Sequence, residues 1–131
     1  MGKDIEPGKE ITISWLQQGA EVCKESIAGV RDGLYVLKGK WKLRLIVALA
    51  GGPLRFKDIQ RSVGEISSKI LAKELKELEL NEFVERKEYP TSPITITYEL
   101  TPYSQSIDKV MHELIAWGIQ HRERIVASRK K

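Results

Sequence analysis

The chain has 131 residues, is 41% hydrophobic and 31% charged, and carries Lys+Arg 22 against Asp+Glu 18, a net charge of +4. Its apolar fraction excludes a wholly disordered chain, and its length excludes two domains of ordinary size. The longest apolar run, residues 45–50, is too short to span a bilayer, and the single cysteine, Cys23, excludes an internal disulfide, so a reducing, cytoplasmic compartment and no membrane partner are expected.

Residues 1–10 are polar, hold Pro7 and two glycines, and are expected to form a flexible N-terminus. The spacing of Trp15, Leu16, Val22, Cys23 and Ile27 predicts a helix from about Ser14, and a second stretch follows from about Ala28 to Leu37. A third helix begins near Lys40 and runs through Leu43, Ile46, Val47 and Ala50. Gly51-Gly52-Pro53 ends it, since glycine suits the cap and proline cannot continue a helix. Leu54-Arg55 fits a short extended bridge. Phe56, Ile59 and Val63 then lie at i, i+3 and i+7 on a short helix, Gly64-Glu65-Ile66 makes a tight turn, and Ser67 caps a longer helix to about Leu80. A short helix, a turn of about three residues and a longer helix have helix-turn-helix spacing.

After Asn81 the period changes. Residues 83–89 read as a strand and Pro90-Thr91-Ser92-Pro93 as a turn. Ile94, Ile96, Tyr98 and Leu100 alternate with Thr95, Thr97 and Glu99, which predicts a second strand with one buried face. Thr101 as cap and Pro102 at the first position open the last helix. Its apolar stripe includes Ile107, Val110, Met111, Leu114 and Trp117, with His121 further along. So long a terminal stripe suits either packing within the chain or dimerisation, together with the Trp15 and Leu16 segment. The fold class read is mainly α with a small β-hairpin wing: one winged helix-turn-helix domain over residues 11–127, with the terminal helices as candidates for dimerisation and a basic tail at 128–131.

The net charge hides a stronger asymmetry. Residues 38–61 hold seven basic residues against one acid, Asp58, whereas residues 62–88 hold five against seven glutamates. A dense positive field suits a phosphate-facing surface, although lysines and arginines also simply solvate helices. With Ile70 at the zero of a helical wheel, Ile70, Leu71, Leu75 and Leu78 fall within roughly 0–140°, a core-facing arc, while Lys69, Lys73 and Lys76 fall near 260°, 300° and 240°. The glutamates Glu74, Glu77 and Glu79 are placed on the flanks. Ser67, Ser68, Lys69 and Lys73, with Lys76 on the same stripe, are therefore expected in a major groove, tip first. Lys40, Lys42, Arg55, Lys57, Arg86 and Lys87 are expected to hold phosphate.

The segments Gly39-Lys40-Trp41-Lys42-Leu43, Gly52-Pro53-Leu54-Arg55-Phe56 and Ile66-Ser67-Ser68-Lys69-Ile70-Leu71 resemble the bacterial HxlR-type winged-helix regulators. So do Leu75-x-x-Leu78-Glu79, Val84-x-Arg86, Tyr89-Pro90 and Tyr98-x-Leu100-Thr101, in order over about residues 28–120. The resemblance implies a homodimeric, MarR-like transcription factor on operator DNA, and leaves a small-molecule effector open. Many members carry a Cys-Pro thirteen residues before the tryptophan. That position is Ala28 here, with Cys23 five residues earlier, so the thiol sensing of some members does not carry over by that position. Thr95 stands where family wings often have a basic residue.

Enzyme chemistry lacks a constellation. His112 and His121 are nine residues apart on one helix, about 180° around it, and cannot share an ion within a chain. Gly39-Lys40 is followed by Trp41 where a phosphate loop needs Ser or Thr. No cofactor, metal or catalytic residue is expected. Trp41 is expected to pack between helices. The alternative to DNA binding is a winged-helix module whose wing and long helix dock a protein.

Overall fold

A computed structural model of the protein describes residues 20–129, in two units divided after Lys38. The first holds α1 (Ala20–Leu37), one helix of 18 residues. The expected division near Ile27 and Ala28 is absent, because no proline or capping sequence stands there and Gly29 and Gly33 lie in open space on a continuing helix. Ile27, Val30, Leu34 and Tyr35 are exposed, and the Lys38 ammonium stands 4.5 Å from the centre of the Tyr35 ring. Trp15 and Leu16 lie outside the described residues.

In the second unit α2 (Lys42–Leu49) starts two residues later than the sequence predicts. Its stripe of Leu45, Ile46 and Leu49 faces the core, and Gly52, at φ +132°, turns the chain in a conformation that only glycine adopts freely. The expected bridge at Leu54 is present: its N–H donates to the Tyr98 carbonyl and its carbonyl accepts from the Tyr98 N–H, at 3.0 and 2.8 Å. Then come α3 (Phe56–Val63) and α4 (Ser68–Leu80), joined by a turn that opens at Gly64 with φ +80°. Ile59, Ile66, Leu71, Leu75 and Leu78 close the core with Leu45 and Leu49. At roughly 25 cal/mol per Å² of apolar surface removed from water, these aliphatic residues are the main source of stability.

The wing pairs β1 (Val84–Tyr89) antiparallel with β2 (Thr95–Leu100), in register from Val84 opposite Leu100 to Tyr89 opposite Thr95. The predicted alternation of β2 is not observed. All six residues are half-buried, because Leu54 and β1 flank the strand while α2 and α3 pack against it. Ile94 falls outside the strand and is exposed.

Thr101 is not a side-chain cap. Its hydroxyl donates to the Glu82 carbonyl, tying the base of the wing to the corner after α4, where Glu82 itself holds φ +66°. A 3-10 turn (Pro102–Ile107) intervenes before α5 (Asp108–Arg129), a helix of 22 residues with none buried. Phe83 stacks on Tyr103, ring centres 5.4 Å apart, and anchors this turn to the core. Ser128 and Arg129, predicted to open a tail, continue α5.

Candidate nucleic-acid interface

α4 begins where the sequence places it. Ser67 sits at β-region angles and its Oγ accepts from the Ile70 N–H at 3.2 Å, satisfying one of the otherwise unpaired donors of the first turn. Gln60 of α3 holds the same corner. Its Nε2 donates to the Ile66 carbonyl at 2.8 Å and lies 3.3 Å from Ser68 Oγ. The tip of α4 is thus fixed from within the helix and from the helix before it. Sequence reasoning missed Gln60, since a polar residue on a short helix gives no periodic signal of a bond to a backbone carbonyl six residues on.

The buried face of α4 is Leu71, Glu74, Leu75 and Leu78. Ile70, expected on this arc, is 43% exposed at its margin, because the arc centres on Leu71, Leu75 and Leu78 and not on Ile70. Glu74, expected on a flank, is 8% exposed. Lys69, Lys73 and Lys76 are exposed, on the side opposite the core. Ser67 and Ser68 are exposed at the tip.

Lys42, expected to hold phosphate, does not face outward. It is 3% exposed, and its Nζ lies 2.6 Å from both Glu74 Oε1 and Glu77 Oε1. Burial opposes its charge, but the bonds to the two glutamates outweigh that and raise its pKa above the ordinary 10.5. The signal was available. Lys42 precedes Leu45, Ile46 and Leu49 by three, four and seven residues, which puts it on their stripe.

The other basic residues expected on phosphate are more open. Lys40, Arg55 and Lys57 are exposed. Trp41 is half-buried, with Lys40 Nζ 5.1 Å and the Arg44 guanidinium carbon 5.3 Å from its ring centre, so it packs partly under two cations. On the wing, Arg86 bonds Glu88 at 2.8 Å and Lys87 pairs with Glu99 across the strands. The glutamate bonds raise the pKa of both groups. Each of these two cations is thus already paired with a carboxylate.

On α5, Val110, Leu114 and Trp117 are exposed, Met111 is half-buried, and the His121 ring stacks on Trp117 with centres 4.8 Å apart; Ile107, expected on the same helix, ends the 3-10 turn before it and is half-buried. His112 pairs loosely with Asp108, Nε2 to Oδ1 3.8 Å. Among the described residues no group of three His, Cys, Asp or Glu is placed to hold a metal ion, and no helix is long and apolar enough to cross a membrane. A cleft of about 850 Å³ lies among α2, the wing and α5, with Ile46, Leu100, Met111 and Ile115 as apolar wall and Thr101 and His112 among its polar residues.

Residues 36–126 match the HxlR-like helix-turn-helix family. The HTH-type transcriptional regulator YodB of Bacillus subtilis is 41% identical over 93 residues, spanning 70% of this chain and 83% of its own. An uncharacterized HTH-type transcriptional regulator of Halalkalibacterium halodurans is 40% identical over 90 residues, spanning 68% and 80%. The solved structure of the redox regulator HypR in its reduced form superposes with a TM-score of 0.70 at 28% identity, over 76% of this chain and 98% of that one.

Proposed function

The chain belongs to the HxlR-like helix-turn-helix family and is a DNA-binding transcriptional regulator and not an enzyme; from that premise we propose that it acts in the cytoplasm as a homodimer on a near-palindromic operator. The recognition element in this reading is α4, entered tip first into the major groove, with the wing against the backbone or minor groove. The observation that carries it is the outward stripe of Lys69, Lys73 and Lys76 behind a capped tip bearing Ser67 and Ser68. Free N–H groups at that tip favour a phosphate oxygen, and the lysines supply counterion release. Lys40, Arg55 and Lys57 hold phosphate, and Arg86 and Lys87 join them from the wing. Lys42 leaves that set.

The exposed apolar residues of α5 support the dimer, with Trp15 and Leu16 remaining part of the proposed interface. Two α4 helices then reach successive major grooves, with half-site centres about one helical turn apart. The cleft beside α5 is roomy enough for a small-molecule effector of mixed polarity. The test is a gel-shift titration with the chain's own upstream DNA at several salt concentrations. Replacing Lys69 and Lys73 by Ala should weaken binding and flatten its salt dependence by about two phosphate contacts. Unchanged affinity and slope would remove α4 from the interface.

A further inference from the structure

On α4 three lysines, Lys69, Lys73 and Lys76, are matched by three glutamates, Glu74, Glu77 and Glu79. A helix so balanced is a poor partner for phosphate. Two of the three carboxylates, however, converge on one ammonium that comes from another helix. Lys42 Nζ is 2.6 Å from Glu74 and 2.6 Å from Glu77, and its residue is too buried to touch DNA.

Glu77 also faces the outward stripe. Lys73 Nζ lies 3.9 Å from Glu77 Oε2, one turn away on the same helix. The carboxylate thus stands between a buried cation held close and an exposed one held loosely. Its closer bond is to Lys42, so Lys73 remains largely exposed. The two bonds to Lys42 also grip α4 at positions three residues apart, which fixes the helix against rotation about its own axis. Rotation is what decides where a stripe of lysines points.

We propose that Lys42 is a positioning residue for DNA recognition, neutralising Glu74 and Glu77 from inside the domain and holding α4 so that its lysine stripe faces the groove. The inference rests on the reading of α4 as the recognition helix. It accounts for a lysine buried where the density of basic charge suggested a phosphate contact. The positive field of α4 is then set partly by a residue that DNA never meets.

The experiment uses a duplex selected from random sequence by the wild-type protein, titrated by fluorescence anisotropy at several salt concentrations. Lys42→Met should weaken binding about tenfold at low salt, because two carboxylates near phosphate lose their buried cation, and the deficit should shrink as salt screens them. Adding Glu77→Gln to Lys42→Met should recover most of the loss. Where circular dichroism shows that Lys42→Met alone does not fold, Lys42→Met with Glu74→Gln and Glu77→Gln is read instead. That variant should bind within about threefold of wild type yet discriminate less between selected and scrambled duplexes, because its helix is no longer gripped.

Wild-type affinity in Lys42→Met, no recovery on adding Glu77→Gln, a deficit that does not shrink with salt, or a folded triple variant without binding would each overturn the inference. If the wild type selects no duplex, the reading of α4 fails and the inference falls with it. Wild-type binding beside misbehaving variants overturns the inference alone.

Discussion

Lys42 of α2 and Glu74 of α4 meet inside the core with 2.6 Å between Nζ and Oε1, the side chain of each at most one tenth exposed. A buried pair loses most of its attraction to desolvation, but breaking it leaves a charge with nothing to replace water. Lys42→Met should therefore cost about 3 kcal/mol of folding stability at neutral pH. The two glutamate bonds raise the Lys42 pKa above 10.5, so its contribution is complete below that pH. It is lost as the pH rises through the raised value. Urea denaturation at pH 8 and 11 should show the gap between wild type and Lys42→Met closing on the alkaline side, and a gap independent of pH would count against the pairing.

The corner between α3 and α4 depends on Gln60. Its Nε2 donates to the carbonyl of buried Ile66 at 2.8 Å. Gln60→Ala leaves that acceptor without this donor and should cost about 1–2 kcal/mol. Gln60→Glu should cost more, since a carboxylate cannot donate and sits against the carbonyl oxygen. Denaturation midpoints falling in the order wild type, Gln60→Ala, Gln60→Glu would bear this out. Equal midpoints for the two variants would mean that the amide donor does not matter.

Much of this architecture was legible because it repeats. The turn at Gly64, the Ser67 cap and the outward lysines follow from spacing alone, and so does the Leu54 bridge between a helix stop and a helix start. Charged residues on buried stripes escaped, because reading hydrophobic periodicity assigns every charge to the outside. Lys42 and Glu74 each stand on such a stripe, yet their pairing spans 32 residues and only the packing of α2 on α4 brings them together. Half-burial of every residue in β2 was equally hidden, since it comes from α2, α3 and Leu54 covering a strand whose own sequence alternates. Thr101 carries a cap's sequence signature but spends its hydroxyl on Glu82, a partner 19 residues back.

Ser67 separates folding from recognition. Its Oγ accepts from the Ile70 N–H, and Ala at this position should cost about 1 kcal/mol. Asp accepts the same bond and suits the positive end of a helix, so Ser67→Asp should leave stability at or above that of wild type. It also places a negative charge at the tip proposed to enter the groove, and operator affinity should then drop at least tenfold at low salt. Thermal unfolding beside anisotropy titration distinguishes the two effects. If Ser67→Asp binds as the wild type does, the tip of α4 is not near phosphate.

The long terminal helix makes the proposed dimer testable without disturbing the proposed recognition helix. Val110, Leu114, Trp117 and His121 follow one another at spacings of four, three and four, which places them on one seam of α5 at the period of a coiled coil. Val110, Leu114 and Trp117 are exposed, Trp117 to 60%, and His121 stacks on Trp117 at 4.8 Å. Because Leu114 is not buried within the chain, Leu114→Glu should alter folding of a single copy by no more than about 0.5 kcal/mol. Against a second copy the same carboxylate would have to be buried, so sedimentation equilibrium should show a dimer for the wild type and a monomer for the variant. Two linked half-sites bind far more tightly than one, and the variant should lose about a hundredfold in operator affinity while keeping its circular dichroism. A Leu114→Glu protein that still sediments as a dimer would move the interface off this seam.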